Sequence, residues 1–250
     1  MTQLANKIAI ITGAGSGFGE GIALAYVAEG AKVVLADINA KSVRRVADAL
    51  GASASAFACD VSNGAQIRAL VDHCVATFGV PDIVVNNAGI THHNGPMTEV
   101  DEATFDRVFA VNVKSIYHMA QAVVPMMRQR GSGVILNIGS TAGIRPRPGL
   151  VWYNATKGAV NNISKSMALE LAPDKIRVNA ICPVMGETGL LTQFMGMADT
   201  PENRAKFVAT IPLGRLSQPR DIANVAVFLA SDAADFLTGM EFTVDGGRTV

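Results

Sequence analysis

Short apolar runs rich in Val, Ile and Leu alternate along the chain with longer stretches in which apolar residues recur at helical spacing. The short runs predict strands at 7–11, 32–36, 55–58, 82–85, 133–138, 177–181 and 241–244. Several are nearly continuous in apolar residues, the pattern of strands buried on both faces of a parallel sheet. The longer stretches predict helices at 17–29, 41–50, 63–78, 101–129, 152–171 and 219–230. Strand and helix in alternation imply right-handed βαβ units. The expected fold class is therefore α/β, a doubly wound (Rossmann) parallel sheet of about seven strands with helices on both faces, formed as a single domain over residues 1–250. Residues 184–210 break the rhythm. The stretch is long, carries Gly, Met and Pro, and lies between the last two strands, which predicts a lid over a binding cleft.

Composition narrows the function. A chain of 250 residues with 49% hydrophobic content can bury one large core, and no Pro/Ser-rich linker or charge run divides it. Lys+Arg and Asp+Glu both number 21, without the basic footprint of a nucleic-acid binder. No polybasic or amphipathic anchor is present, and no apolar run is long enough to span a bilayer. The expected partner is a small-molecule substrate, not nucleic acid or membrane. The three cysteines, Cys59, Cys74 and Cys182, are odd in number and form no CxxC pair. They disfavour a disulfide framework and a zinc site, and a cytoplasmic location is expected. Residues 7–11 read as a strand rather than as the apolar part of a leader.

The chemistry-bearing residues fall at the predicted strand ends. Thr12-Gly13-Ala14-Gly15-Ser16-Gly17-Phe18-Gly19 follows the first strand and opens the first helix. There, glycines let a backbone approach a pyrophosphate, and helix N–H groups face it. The literal GxGxxG spacing fails, since Phe18 stands where a third glycine would follow Gly13 and Gly15; TGxxxGxG fits. Alone, the segment is weak evidence, and its plain alternative is a tight turn. Asp37 ends the second strand, where a carboxylate can accept hydrogen bonds from an adenosine ribose and repel a 2′-phosphate, favouring NAD over NADP. Neither Ser16 nor Asn39 adds positive charge beside it. Alone, Asp37 could be a helix cap. Tyr153 and Lys157, four residues apart, share one face of a predicted helix. An ammonium near a phenol stabilises the phenolate and lowers its pKa toward neutrality; the plain alternative is a surface helix pair. Ser140 follows the fifth strand at the carboxyl edge of the sheet, where its hydroxyl could hold a substrate oxygen or cap a loop. Ile138 occupies the first glycine position of GxSxG, which excludes a nucleophile elbow.

Taken in order, these residues resemble the short-chain dehydrogenase/reductase family over nearly the whole chain. The matching segments are Thr12-Gly13-xxx-Gly17-x-Gly19, Asp60-Val61, Asn86-Asn87-Ala88-Gly89, Asn112, Ser140, Tyr153-xxx-Lys157, Arg177-Val178-Asn179 and Asp245-Gly246-Gly247. Each alone is weak, but the ordered set is specific. The chain is most similar to the branch of glucose and polyol dehydrogenases and 3-oxoacyl carrier-protein reductases. The resemblance implies a catalytic set of Asn112, Ser140, Tyr153 and Lys157. Tyr153 would exchange the proton, Lys157 would bind the nicotinamide ribose, Ser140 would orient the substrate oxygen, and Asn112 would hold a water in a relay. The implied NAD-binding set is Gly13, Ser16, Gly17, Phe18, Gly19, Asp37, Ile38, Asp60, Val61, Asn87, Ala88, Gly89, Tyr153, Lys157, Pro183, Gly186 and Thr188. Asp60 and Val61 would flank the adenine and Thr188 the carboxamide. Where the family usually has Pro-Gly after the sixth strand, this chain has Pro183-Val184, which puts the local path in question because valine disfavours positive φ. The family also implies a homo-oligomer, a tetramer paired through the two long helices and the last strand.

The leading expectation is an NAD(H)-dependent oxidoreductase moving a hydride between the nicotinamide and a secondary alcohol or ketone. Its rivals are an NADPH-dependent 3-oxoacyl reductase, which Asp37 opposes, and a non-catalytic NAD-sensing protein, which would not need the complete catalytic set. No Gly-Lys pair of a P-loop and no HExxH zinc motif occurs, and the adjacent His92-His93 lacks ligand spacing. The expected substrate contacts are His93, Arg145, Trp152, Met185 and Glu187, with Thr141 and Phe194 near them. Arg145 and Arg147 suggest a polar substrate: a sugar, polyol or hydroxy acid.

Overall fold

A computed structural model describes residues 2–250. All seven predicted strands form: β1 (Ile8–Thr12), β2 (Lys32–Asp37), β3 (Ala54–Ala58), β4 (Ile83–Asn86), β5 (Gly133–Ile138), β6 (Ile176–Pro183) and β7 (Glu241–Val244). They make one sheet in the order β3-β2-β1-β4-β5-β6-β7, every pair parallel. The continuous apolar character of the strands follows from this placement. In β1, Ala9 and Ile11 enter one core while Ile10 enters the other; in β2, Val33 and Leu35 oppose Val34 and Ala36 in the same way.

The helices are α1 (Gly17–Ala28), α2 (Ala40–Leu50), α3 (Gly64–Thr77), α4 (Glu102–Phe109), α5 (Ser115–Arg130), α6 (Val151–Leu171), α7 (Leu191–Met195), α8 (Pro201–Val208) and α9 (Pro219–Ala230). Helices α1, α2 and α9 cover one face, and α3, α5 and α6 the other. Side-chain caps fix several starts: Asn39 accepts from Lys41 and Ser42 N–H groups, Asn63 from Ala65 and Gln66, and Asp101 from Thr104. The helix expected over 101–129 is two helices joined by a π-helical turn at Ala110–Lys114. Apolar periodicity misses such a turn because it adds a residue without ending the helix.

The stretch 184–210 is not a bare loop, since it carries α7 and α8. With the residues just beyond it, it closes on a small apolar nucleus of Val184, Leu191, Met195, Ile211 and Leu216. Val184 is buried there and is not at positive φ, so valine in the family's glycine position is accommodated without strain. A buried polar chain ties the sheet to α6: Asn86 Nδ2 donates to Asn137 Oδ1 (2.8 Å), and Asn137 Nδ2 donates to Ser164 Oγ (2.9 Å). This seats the helix that carries Tyr153 and Lys157. No helix among the described residues is long and apolar enough to cross a membrane. The three cysteines are free and buried.

Candidate active site

The strand order reverses between β1 and β4, which leaves a crevice at the carboxyl ends of the strands. A cleft of about 310 Å³ opens there, lined by the glycine turn, the ends of β4, β5 and β6, the start of α6 and the chain after Val184.

The first wall is mainly backbone. Gly13 and Gly17 sit at φ +64° and +59°, which L side chains rarely adopt. A Cβ on Gly13 would lie 2.9 Å from Ala88 Cα, and one on Gly19 would strike the Gly13 carbonyl. Gly19 therefore lets α1 pack against the turn without reaching the cleft. Thr12 locks the turn to β4, its Oγ1 accepting from the N–H groups of Asn87 and Ala88, both at 3.0 Å. Asn87 Nδ2 donates to the Thr12 and Gly13 carbonyls. Asp37 reaches the far end of this wall. Its Oδ2 accepts from Gly15 N–H (3.0 Å) and its Oδ1 from Asn39 N–H (2.9 Å). Arg45, which donates to the Gly15 carbonyl, is paired with Glu20.

The second wall holds the titratable cluster. Tyr153 and Lys157 are buried on α6, and Ser140 is buried beyond β5. Burial pushes the Tyr153 phenol up to about 12, while the Ser140 hydroxyl beside it favours the phenolate and acts the other way. Burial pushes the Lys157 ammonium down to about 8. Its Nζ donates to the Ile138 carbonyl (2.7 Å) and lies 5.9 Å from the Tyr153 ring centroid. Within the chain alone, desolvation of the phenol outweighs the opposing influence of Ser140. Asn112 projects from the π turn. Its Oδ1 accepts from Ile90 N–H (2.8 Å), and its Nδ2 donates to the Ile90 carbonyl (2.9 Å) and Thr156 Oγ1 (3.0 Å). A Cβ on Gly89 would lie 3.4 Å from Asn112 Oδ1 and 3.5 Å from Lys157 Nζ, so Gly89 keeps the space between them open.

Of the expected cofactor set, Gly13, Ser16, Gly17, Phe18, Asp37, Asn87, Ala88, Gly89, Tyr153, Lys157, Pro183, Gly186 and Thr188 line the cleft. Thr188 faces Gly17, whose added Cβ would meet it at 3.3 Å. Ile38, Asp60 and Val61 do not line it. Ile38 is exposed and Val61 buried, and the Asp60 carboxylate is engaged by Ser62 and Arg107.

Of the expected substrate set, Arg145 and Met185 line the cleft; three others do not. Trp152 turns away, its Nε1 donating to the Met97 carbonyl (3.1 Å) and its ring standing edge-on to Phe105. Glu187 pairs with Arg204 beside a separate hollow against α1. His93 is exposed and offers its carbonyl to His92 Nδ1. Sequence reasoning missed Asn154, Leu150 and Arg248, which also line the cleft. Arg248 directly follows Asp245-Gly246-Gly247, and only the path of that turn brings it back across the molecule.

Fold and site together define a nicotinamide-nucleotide oxidoreductase of the doubly wound class. The model of the family described as enoyl-(acyl carrier protein) reductase matches residues 13–249. The chain is 49% identical to the 4-formylbenzenesulfonate dehydrogenase of Comamonas testosteroni, covering 99% of this chain and 100% of that one. It is 40% identical to 2-(S)-hydroxypropyl-CoM dehydrogenase 3 of Xanthobacter autotrophicus, covering 99% and 98%. A crystal structure of 3-ketoacyl-(acyl-carrier-protein) reductase from Brucella melitensis complexed with NADH superposes with a TM-score of 0.94 at 47% identity, covering 99% and 100%. The chain belongs to the short-chain dehydrogenase/reductase family, and is an oxidoreductase that moves a hydride between a nicotinamide nucleotide and an alcohol or carbonyl compound.

Proposed function

We propose that this enzyme prefers NAD(H), acts on a polar secondary alcohol and its ketone, and uses Tyr153 as the acid/base. The observation that carries the reading is the burial of Ser140, Tyr153 and Lys157 together at the carboxyl edge of the sheet, facing the glycine turn across one cleft. Gly13 lets the turn pack closely on Ala88, and Gly17 leaves open the space toward Thr188 that a Cβ would narrow; Thr188, Gly89 and Lys157 would hold the nicotinamide half of the dinucleotide. When bound, the nicotinamide accepts or gives the hydride. Tyr153 takes the hydroxyl proton of the alcohol during oxidation and returns it to the carbonyl oxygen during reduction. Ser140 holds that oxygen beside the phenol. Lys157 supplies the positive charge that the phenolate needs, and the Ile138 carbonyl fixes where that charge stands. Asn112 positions the Gly89–Ile90 backbone behind it.

NAD over NADP rests on Asp37: its carboxylate lines the cleft, held by two backbone N–H groups, and Arg45 is already paired with Glu20. Arg145 and Arg147 in the cleft wall support a polar substrate, as does a relative named for a sulfonate. In this reading residues 1–250 work as one domain in the cytoplasm, and residues 184–210 act as the lid.

Tyr153→Phe tests the assignment. Turnover should fall by about a thousandfold, while NADH binding, read by fluorescence titration, stays within about threefold. Rates within a few-fold of wild type would remove Tyr153 from the acid/base role. We also propose a homotetramer. Tyr117 on α5, Leu169 on α6, and Phe236 and Met240 before the edge strand β7 are exposed apolar side chains that a partner would cover. Light scattering should return four chain masses, and a monomer would refute it.

A further inference from the structure

The substrate end of the cleft carries more positive charge than proton transfer requires. Arg145, Arg147 and Arg248 line it, and Asp37, at the glycine-turn end, is the only acidic residue in the lining. Among the described residues none of these three arginines forms an ion pair. The other unpaired arginines at helix surfaces, Arg44, Arg68 and Arg220, are exposed, whereas Arg147 and Arg248 are half-buried.

Each is also held in place. The Arg147 guanidinium lies over the Phe207 ring, 5.3 Å from its centroid, and Asn154 Nδ2 donates to the Arg147 carbonyl (2.8 Å). Burial, and then the charge of Arg248, push the Arg147 pKa down, so the pair stands together at a cost. Arg145 Nη1 donates to the Arg248 carbonyl (2.9 Å). The Asp245 carboxylate accepts from the N–H groups of Gly247 and Thr249, fixing the backbone on both sides of Arg248. The Arg248 Nε is buried without a hydrogen-bond partner. A buried donor without an acceptor is costly, and two crowded guanidinium groups without a carboxylate are more so. The second cost is relieved by one anion accepting from the pair.

We propose that Arg147 and Arg248, steadied by Arg145, bind a carboxylate or sulfonate at one end of the substrate while its alcohol or carbonyl lies at Tyr153 and Ser140. Leu150, Met185, Leu190 and Phe194 also line the cleft, with Thr141, Asn154 and Thr249 among them, and Phe194 stands edge-on to Tyr153. The segment joining the two polar ends of the substrate is therefore mainly apolar. This inference rests on the hydride-transfer reading and narrows its substrate class.

The test uses the full-length protein saturated with NADH and titrated with benzenesulfonate, benzoate and the neutral methyl phenyl sulfone, read by NADH fluorescence. At least one anion should bind about tenfold more tightly than the sulfone, the gain expected of a charge-assisted pair, and the tighter of the two identifies the anion. Raising the salt concentration should shrink that gap. Arg147→Gln and Arg248→Gln should each weaken the anion about tenfold and the sulfone less than about twofold. Arg248→Gln, on the C-terminal segment, keeps the experiment readable should Arg147→Gln not fold. Equal binding of anions and sulfone, or anion binding unchanged in the folded variants, would overturn the proposal. Probe binding needs no turnover. Its failure with NAD-linked turnover intact removes the anion site alone, whereas failure of the hydride-transfer reading appears in the Tyr153→Phe kinetics.

Discussion

At the glycine-turn end of the cleft the wall is made of backbone, positive-φ glycines and one carboxylate held by N–H groups. At the substrate end it is made of side chains from four distant segments: the turn after β5, the start of α6, the chain from Val184 to Phe194, and the C-terminus. The first end is built around one short glycine-rich segment pinned by backbone and side-chain bonds to Asp37 and Asn87, so its geometry tolerates little change. The second is specified by tertiary placement, so its residues can be exchanged while the frame stays. A common hydride-transfer apparatus and a private substrate pocket can therefore sit in one cleft.

Three changes probe that contrast, taken from the largest effect to the smallest. Lys157 stands where the two ends meet, and Lys157→Met should cut turnover about a hundredfold or more. It should also alter the pH dependence of stability. Burial holds Lys157 at about 8, below the ~10.4 of a free lysine. Between those values the unfolded chain binds more protons, so this group's contribution to stability rises with pH. Urea unfolding of the wild type should therefore gain on the variant between pH of about 8 and 10, and parallel curves would show that burial does not lower the Lys157 pKa. Asp37→Ala, at the backbone-built end, should raise KM for NAD about tenfold and narrow the preference over NADP. An unchanged cofactor ratio in steady-state kinetics would detach specificity from this carboxylate. Trp152→Phe should leave kcat/KM within about twofold, because the ring lies outside the cleft, and should lower stability by about 1 kcal/mol through the lost bond to Met97. A substrate-dependent loss of activity would place Trp152 back in the pocket.

The same contrast explains what was legible in the sequence. The seven strands were readable because burial on both faces writes an uninterrupted apolar run. Gly13, Gly17, Asp37, Ser140, Tyr153 and Lys157 were readable because each stands at a strand end or at fixed helical spacing. Trp152 is adjacent to Tyr153, yet on a helix neighbouring residues point about 100° apart, so adjacency misdirected the assignment. Glu187 follows the cleft-lining Gly186 but turns outward to Arg204. Arg248 could not be found at all by spacing, since it is carried to the cleft by a turn whose destination is set only once β7 has docked against β6. The two helices within residues 184–210 were missed because each is short, with α7 spanning only five residues.

The π turn at Ala110–Lys114 acts as a phase shifter. From Val111 within it onward, the buried positions Val111, Ser115, Met119, Val123 and Met127 recur every four residues, which on a regular α-helix advances the buried stripe by about 40° per step. The wider turn takes up part of that advance at the point where Asn112 must face Ile90. A one-residue deletion there would make α4 and α5 continuous and so rotate α5 relative to α4. The apolar stripe of α5 would then swing off the sheet, and exposed Tyr117 would swing with it. An insertion and a deletion within these five residues are therefore not mild loop edits: each re-times a long helix against both the catalytic cleft and the outer surface.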